Sequence, residues 1–370
     1  MNLTKIKEVF LVFFKLGFIA FGGPAAHIAM MEEEIVHKRK WMSQQYFLDM
    51  VGATNLVPGP NSTQMTMHCG HVRAGWAGLI VGGLAFIFPA VVFTLLLAIL
   101  YGKYGEVPAI APLFYGIKPA VIGIILNATY KLGKKAVKGW QLAILGILSL
   151  IASLAGMDEF LIIISLGIIG AFIMYILRNK TTIQSVIPLL AFQPLVLSNT
   201  SIFMVFLKIA MVLFGSGYVL IAYIDAEMVE KLGWLTKAQL LDAIAMGQFT
   251  PGPVLTTATF VGYQLNGITG ALYASAGMFL PSFILVGLLV KLIPLLRKSK
   301  ILSSFLDAVN VAAVGIMAAV TFKIGMDVGT DWKAWLLMGL SILVAFKFPK
   351  VSSVWVIVGG AVIGYGLMMI

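Results

Sequence analysis

One cysteine, Cys69, in 370 residues excludes an intrachain disulfide and any metal site built from several thiolates. Charge is scarce too: Asp, Glu, Lys and Arg make up 11% of the chain against 60% hydrophobic residues. A soluble globule carries about 25% charged and about 45–50% apolar residues, so this composition specifies a polytopic, all-α membrane protein. The four histidines offer no metal site. His68-Cys69-Gly70-His71 lacks a zinc spacing, and His27 and His37 stand apart. Walker A, G-x-S-x-G and H-E-x-x-H patterns are missing. No enzyme activity, cofactor or metal is therefore expected, and transport by ATP hydrolysis would need a separate subunit. Acidic residues number 15 against 26 basic ones, a net charge of +11. The excess lies in short loops between apolar runs, which reads as orientation by the positive-inside rule and not as a nucleic-acid surface.

What the chain does contain is itself, twice. Val57-Pro58-Gly59-Pro60-Asn61-Ser62-Thr63 is echoed by Thr250-Pro251-Gly252-Pro253-Val254-Leu255-Thr256, 193 residues on. The same offset relates Phe21-Gly22-Gly23 to Phe214-Gly215-Ser216, Trp41-Met42-Ser43 to Trp234-Leu235-Thr236, Asp49 to Asp242 and Lys15 to Lys208. After a one-residue slip, Gly75, Gly78, Pro89, Gly123 and Lys131 match Gly267, Gly270, Pro281, Gly315 and Lys323. Paired repeats, each with an interrupted apolar segment, point to a transporter's binding site.

Apolar runs near 20 residues can span a bilayer. They fall at 9–28, 76–100, 109–130, 140–156, 159–177, 201–222, 268–290, 305–322, 334–348 and 353–370, with a shorter run at 183–199. Segments 46–70 and 239–264 hold the Pro-Gly-Pro breaks and read as discontinuous crossings, because proline cannot continue a helix. Loop 101–108 carries only Lys103, whereas its counterpart carries Lys291, Arg297, Lys298 and Lys300. The next loop reverses the bias: Lys131, Lys134, Lys135 and Lys138 face Lys323, Lys333, Asp327 and Asp331. Matching loops of opposite charge predict two homologous repeats of inverted topology, with about 13 crossings. The N-terminus then lies inside, on an uncleaved first helix. Residues 1–182 form the N-terminal repeat, 183–200 a connecting segment with a short crossing, and 201–370 the C-terminal repeat. Lys38, Arg39 and Lys40 fall on the outer side of this scheme and run against the rule.

Candidate binding residues gather at the breaks. A helix starting after Pro60 or Pro253 aims N–H groups and a positive dipole end at the opening, which suits an anion. Asn61, Ser62, Thr63, Thr256 and Thr257 add side-chain donors, and Asn55 and Gln248 stand just before the turns. Pro58, Gly59, Pro60, Pro251, Gly252 and Pro253 supply the open backbone. Lys15 and Lys208 each lie two helical turns before Gly22 and Gly215, on the same face, so Gly22, Gly23 and Gly215 join the set. Both lysines are candidates to attract the anion, with snorkelling to the interface as the alternative. Lys118 lies within a span opposite Asn310 of the other copy. Glu32, Asp49, Asp225 and Asp242 are candidates for coupling to protons, or they belong to solvated interfacial helices. Gly78-x-x-x-Gly82 reads as close helix packing, and Ser43 and Thr236 as helix N-caps.

Phe21-Gly22-Gly23-Pro24 with His27, the acidic–basic stretch ending at Trp41, both Pro-Gly-Pro elements and the Gly75, Gly78, Phe86, Phe88, Pro89 pattern resemble the chromate ion transporter (CHR) family in its long two-domain form. The resemblance implies a multi-pass plasma-membrane protein that exports chromate and confers resistance to it, with sulfate as the related oxyanion. The second copy departs from the first: Ser216-Gly217, Leu220 and Val254 stand where the first has Gly23-Pro24, His27 and Asn61. The halves are therefore not expected to contribute equally. The residues alone read as a secondary transporter for a small anion. A passive channel, or an importer of another oxyanion such as sulfate, is the alternative. Expected partners are chromate or sulfate and the lipid bilayer, with no nucleic acid; a homodimer stays open.

Overall fold

The computed structural model describes residues 2–20, 24–54, 57–104, 111–176, 196–214, 217–296, 300–326, 331–348 and 351–369. Among them the first repeat builds α1 (Leu3–Ile19), α2 (Pro24–Met31) running on as a π-helix (Glu32–Lys38), α3 (Gln44–Thr54), α4 (Asn61–Tyr104), α5 (Ala111–Ala136), α6 (Trp140–Leu154) and α7 (Glu159–Ile176). The second builds the same series: α8 (Asn199–Val212), α9 (Val219–Ile224) with its π-helix (Asp225–Lys231), α10 (Lys237–Phe249), α11 (Thr257–Leu296), α12 (Lys300–Met326), α13 (Trp332–Lys347) and α14 (Ser353–Met369). No strand occurs among the described residues. The proposed crossing at 183–199 lies largely outside the described residues.

The helix ends follow local chemistry. Thr236 Oγ1 accepts the Gln239 N–H at 3.2 Å while Gln239 Oε1 accepts the Thr236 N–H at 2.8 Å, a reciprocal capping box. Ser43 Oγ accepts the Tyr46 N–H at 3.2 Å. Both expected caps are present.

Three described helical stretches are long and apolar enough to cross a membrane: Asn61–Tyr104, Val254–Leu288 and Ser304–Met326. On α4, Ile80, Leu84, Phe88, Leu96 and Leu100 form an exposed stripe, and α11 repeats it with Leu272, Leu280, Ile284 and Leu288. A bare apolar stripe 20 residues long matches the bilayer's hydrocarbon thickness, about 30 Å.

Two expectations need correction. The breaks are not midpoints of crossings. Trp41, before α3, and Arg73, after the first turns of α4, meet in a cation–π contact at 5.7 Å. The Pro58–Pro60 turn is thus the tip of a hairpin whose two arms return to one place. In the second copy Gly247 packs directly on Thr257 across the Pro251–Pro253 turn, which a straight crossing would hold about 15 Å apart. Spans 9–28 and 201–222 are likewise not single helices: α1 ends at Ile19 and α2 starts at Pro24, α8 ends at Val212 and α9 starts at Val219, and the chain folds back. Trp41 Nε1 and Arg39 reach Glu8 at 3.2 and 3.1 Å. Tyr223 Oη donates to the Val212 carbonyl at 2.8 Å across the second corner.

A further reversal follows each break. Gly75 and Gly267 take φ of +63° and +58° inside α4 and α11, a left-handed step that glycine makes at little cost. Gly70 then touches the Gly78 backbone, and Gly262 the Gly270 backbone. The close approach expected of Gly78 and Gly82 is met within one hairpin: a Cβ on Gly82 would sit 2.8 Å from the Thr66 carbonyl.

The halves interlock. Helix α5 packs on α13 and α14 of the second repeat, and α12 packs on α6 and α7 of the first. Small residues make these seams: Gly116 against Gly360, Gly123 against Ser341, Gly146 against Val311 and Gly170 against Ala308. Phe206, Tyr223, Phe260, Ile125 and Ile316 lie in the main core, and Phe13, Phe47, Met65 and Phe86 fill a second one under the first two hairpins.

Candidate functional site

Each Pro-Gly-Pro tip docks on the other repeat at the end of its first helix. The Gly59 N–H donates to the Leu213 carbonyl at 2.7 Å, and the Gly252 N–H donates to the Ala20 carbonyl at 2.8 Å. Both members of the pair shift by 193 residues, so this is one contact made twice. Both glycines hold positive φ, +115° and +80°. Each tip also lies against the proline-bearing long helix of the opposite copy. A Cβ on Gly59 would be 2.8 Å from Ser282 Oγ, and one on Gly252 would be 3.0 Å from Ala90 Cβ.

Polar groups crowd the first tip. Thr54 Oγ1 donates to Asn61 Oδ1 at 2.5 Å, and Gln64 Nε2 donates to the Pro58 carbonyl at 2.7 Å. Thr63 Oγ1, Gln64 Oε1 and Ser282 Oγ are buried and have no hydrogen-bond partner among the described residues. Unpaired polar atoms in a buried site are costly; the Thr63 and Ser282 hydroxyls can each donate to an anion, whereas Gln64 Oε1 is an acceptor and needs a donor. Ser62 is buried beside them. A cavity of about 350 Å³ reaches this tip, lined by Thr54, Gly59, Asn61, Phe214, Asn310 and, towards its mouth, Lys135 and Lys138. Lys138 Nζ pairs with Asp307 Oδ1 at 2.7 Å on the rim.

The second tip is more self-contained. Thr256 Oγ1 donates to the Pro253 carbonyl at 3.0 Å, and Thr257 Oγ1 to the Val254 carbonyl at 2.8 Å. A 3-10 turn at Val254–Thr256 precedes α11, so the Thr256 N–H is spent on the Pro253 carbonyl at 3.0 Å. Thr250 Oγ1 accepts from Thr94 Oγ1 at 3.0 Å. Gln248 Oε1 accepts from Tyr218 Oη at 3.3 Å and Ser353 Oγ at 3.0 Å, leaving its Nε2 unpartnered among the described residues.

The expected lysine pair divides. Lys208 Nζ bonds Glu227 Oε1 at 2.6 Å and sits 3.8 Å over the Phe160 ring, so its charge is neutralised away from the tips. Lys15 is exposed, with no ion pair among the described residues. The carboxylates also divide. Glu32 is half-buried and accepts from Gln44 Nε2 at 2.9 Å, whereas Asp225 is fully buried. Asp242 Oδ2 accepts from Tyr101 Oη at 2.7 Å and lies 3.6 Å from Lys118 Nζ. Asp49 lies on α3, its side chain outside the described set; Gly22, Gly23, Asn55 and Gly215 fall outside the described residues.

Gln64, Ser282, Asn310, Lys135 and Lys138 escaped the sequence reading. Gln64 sits one helical turn after Asn61, and that spacing was the available signal. The others come from helices distant in sequence, for which no motif exists. Among the described residues no three His, Cys, Asp or Glu side chains converge as a metal site.

A family model described as "Chromate transporter" matches residues 7–171 and again 200–365. The chain is 29% identical to a probable chromate transport protein of Synechococcus elongatus, covering 93% of this chain and 91% of that protein. It is 28% identical to a chromate transport protein of Cupriavidus metallidurans, covering 97% and 92%. An uncharacterized transporter of Bacillus subtilis, YwrA, matches 45% of this chain at 28% identity over 92% of its own length. No solved structure matches.

Proposed function

Since this chain belongs to the chromate transporter family, we propose that it carries chromate across the plasma membrane as a secondary transporter, outward from the cytoplasm, with sulfate as a competing dianion. The observation that carries this reading is the cavity ending at the first tip, where Thr54, Asn61, Asn310, Lys135, Lys138 and Asp307 stand among apolar residues. Exposed Lys135 and Lys138 line it together with Asn61 and the Gly59 turn, and the buried, unpaired Thr63 hydroxyl belongs to the same first turn of α4 as Asn61. Lys138 is paired with Asp307, so Lys135 is the basic residue of this lining that raises the local anion concentration, and neutral donors beside it hold a dianion without trapping it. The mutual docking of the tips favours a gated carrier over an open channel, since each tip plugs the corner of the other half.

Inverted repeats belong to the same reading. Gly123 lies on Ser341, and Tyr115 hydrogen-bonds Asp331. Helices α5 and α13 therefore run the same way. A short loop reverses α5 into α6, and α12 runs parallel to α6, with Lys138 meeting Asp307 and Gly146 meeting Val311 and Gly315; this supports antiparallel α5 and α12, the matching helices of the two copies. With the N-terminus cytoplasmic, the Lys135 mouth faces the cytoplasm. Outward movement of a dianion is favoured by an inside-negative potential, by about 4.6 kcal/mol per 100 mV for two charges.

Everted vesicles containing the protein should accumulate labelled chromate, sulfate should compete, and collapsing the potential should slow the uptake. Vesicles that take up no chromate beyond protein-free controls refute the reading.

A further inference from the structure

The two tips are equivalent in backbone but not in charge. In the first half, Asn310 of α12 lines the cavity that ends at Gly59 and Asn61. The residue 192 positions earlier, in the matching place on α5, is Lys118. By repeat register Lys118 is the counterpart of Asn310, and it packs on α10, the helix that leads into the second tip. A cation in that position would be the stronger anion ligand of the two, yet its ammonium is engaged by Asp242, 3.6 Å away on α10, the arm of the second hairpin. The Lys118 side chain is one-third exposed and that of Asp242 only 5%. Asp242 Oδ2 is held by Tyr101, while its buried Oδ1 has no partner among the described residues.

We propose that Lys118 is a second oxyanion-binding residue, kept out of use by its ion pair with Asp242 and released when Asp242 takes up a proton. The proposal rests on the oxyanion-transporter reading above. The proton comes from water and sits on Oδ1, the oxygen without a partner, so the Tyr101 bond to Oδ2 is retained. No other bond need break. Lys118 then keeps its charge, loses its counter-ion and presents Nζ to the dianion beside the second tip. The second half becomes a half-site whose anion affinity depends on protonation, and the first half stays independent of it.

The neighbours of α10 bear on this assignment. Tyr101 from α4 and Lys118 from α5 are the titratable groups acting on Asp242. Helix α11 places Tyr263 beside Gly102, next to Tyr101. The π-helix after α9 carries Asp225, which is buried, with Glu227 turned to Lys208 and Lys231, and Glu230 turned to Lys323. Helix α14 has no charged residue, its one titratable group being Tyr365, and α10 itself adds only Lys237 at its start.

The test is equilibrium binding of labelled chromate to the purified, monodisperse full chain between about pH 8 and about pH 6. Chromate's own protonation affects every variant alike and cancels in the comparison. One linked proton should tighten the wild-type Kd by up to roughly tenfold per pH unit relative to Lys118→Gln. Asp242→Asn should bind tightly with no such dependence, Lys118→Gln weakly with none, and Lys118→Arg should keep the wild-type profile. The double variant should match Lys118→Gln, which separates loss of the ligand from loss of the fold. An Asp242→Asn protein that keeps the wild-type affinity or pH profile overturns the proposal, as does wild-type binding by Lys118→Gln. Asn61→Ala separates the two levels. If it weakens chromate binding while the Asp242 and Lys118 variants behave as wild type, the transporter reading stands and this inference falls. If wild type binds no chromate, both fall.

Discussion

Replacing Gly59 by alanine tests the docked tips directly. Gly59 holds φ +115°, and a side chain in the left-handed region costs about 1–2 kcal/mol. The new Cβ would lie 2.7 Å from Gln64 Nε2 and 2.8 Å from Ser282 Oγ. Gln64 is flexible, but moving it breaks its bond to the Pro58 carbonyl. Overpacking of this kind costs about 1–3 kcal/mol, so Gly59→Ala should destabilise by about 2–5 kcal/mol. Gly252→Ala meets Ala90 Cβ at 3.0 Å, the Gly17 carbonyl at 3.3 Å and the Phe86 carbonyl at 3.7 Å, with nothing closer than 3.0 Å, so its cost should fall at the lower end. Gly233 is the internal control: it also has positive φ, +63°, but nothing lies within 4 Å of its would-be Cβ. Gly233→Ala should show the backbone cost of about 1–2 kcal/mol alone and leave transport intact. Thermal unfolding in nanodiscs, read by tryptophan fluorescence, should rank stability as wild type, Gly233→Ala, Gly252→Ala, Gly59→Ala. Chromate uptake by vesicles should fail for the tip variants only. A Gly59→Ala protein that melts and transports like Gly233→Ala would refute the claim that tight docking of the tip matters.

Asn61→Ala or Thr63→Ala should weaken chromate binding about tenfold to a hundredfold, given roughly 1.5–3 kcal/mol for a charge-assisted hydrogen bond; isothermal titration with unchanged affinity would make the first tip a structural turn. Lys208→Met removes the shorter of the two ion pairs of Glu227, leaving Lys231 at 3.5 Å, and should cost about 1.5–3 kcal/mol of stability, whereas exposed Lys15→Met should stay within about 0.5 kcal/mol; equal melting temperatures for the two would contradict the ion-pair geometry. With Cys69 replaced, single cysteines at positions 103 and 300 probe orientation. An impermeant thiol reagent on whole cells should label 103 and spare 300, and equal labelling would rule out inverted repeats.

The duplication, the breaks and the caps were legible because each is a local pattern repeated at one offset. The reversals were not. Proline and glycine announce that a helix stops, but not whether the chain continues across or turns back. That choice is made by contacts such as Trp41 with Arg73 and Gly70 with Gly78, which join residues from separate helical segments. The matching of Gly75 with Gly267 held the clue, since a glycine retained in both copies inside an apolar run fits a left-handed step. Register also misled: Lys15 and Lys208 occupy equivalent positions, yet only Lys208 finds its acid. Glu227 turns inward to it, while Glu34, the counterpart, is taken by Arg39 at 3.0 Å. The cavity was invisible because α5 and α12 bring Lys135 and Asn310 to the tip from opposite halves of the chain.

The exchanged bonds, Gly59 to Leu213 and Gly252 to Ala20, have a consequence for how such a protein can diverge. Two identical halves joined as a symmetric pair would place the same residue at both tips, because any substitution appears twice. Here one polypeptide carries both halves, so each tip can change while its partner's receiving corner stays fixed. Thr54 and Asn61 hold one tip while Gly247 and Val254 occupy the same places in the other, and Asn310 at the first tip has Lys118 as its counterpart. The backbone handshake keeps the two halves in register, and the side chains around it are free to differ from one half to the other. Fusion thus turned a two-fold axis from a constraint on sequence into a constraint on backbone alone.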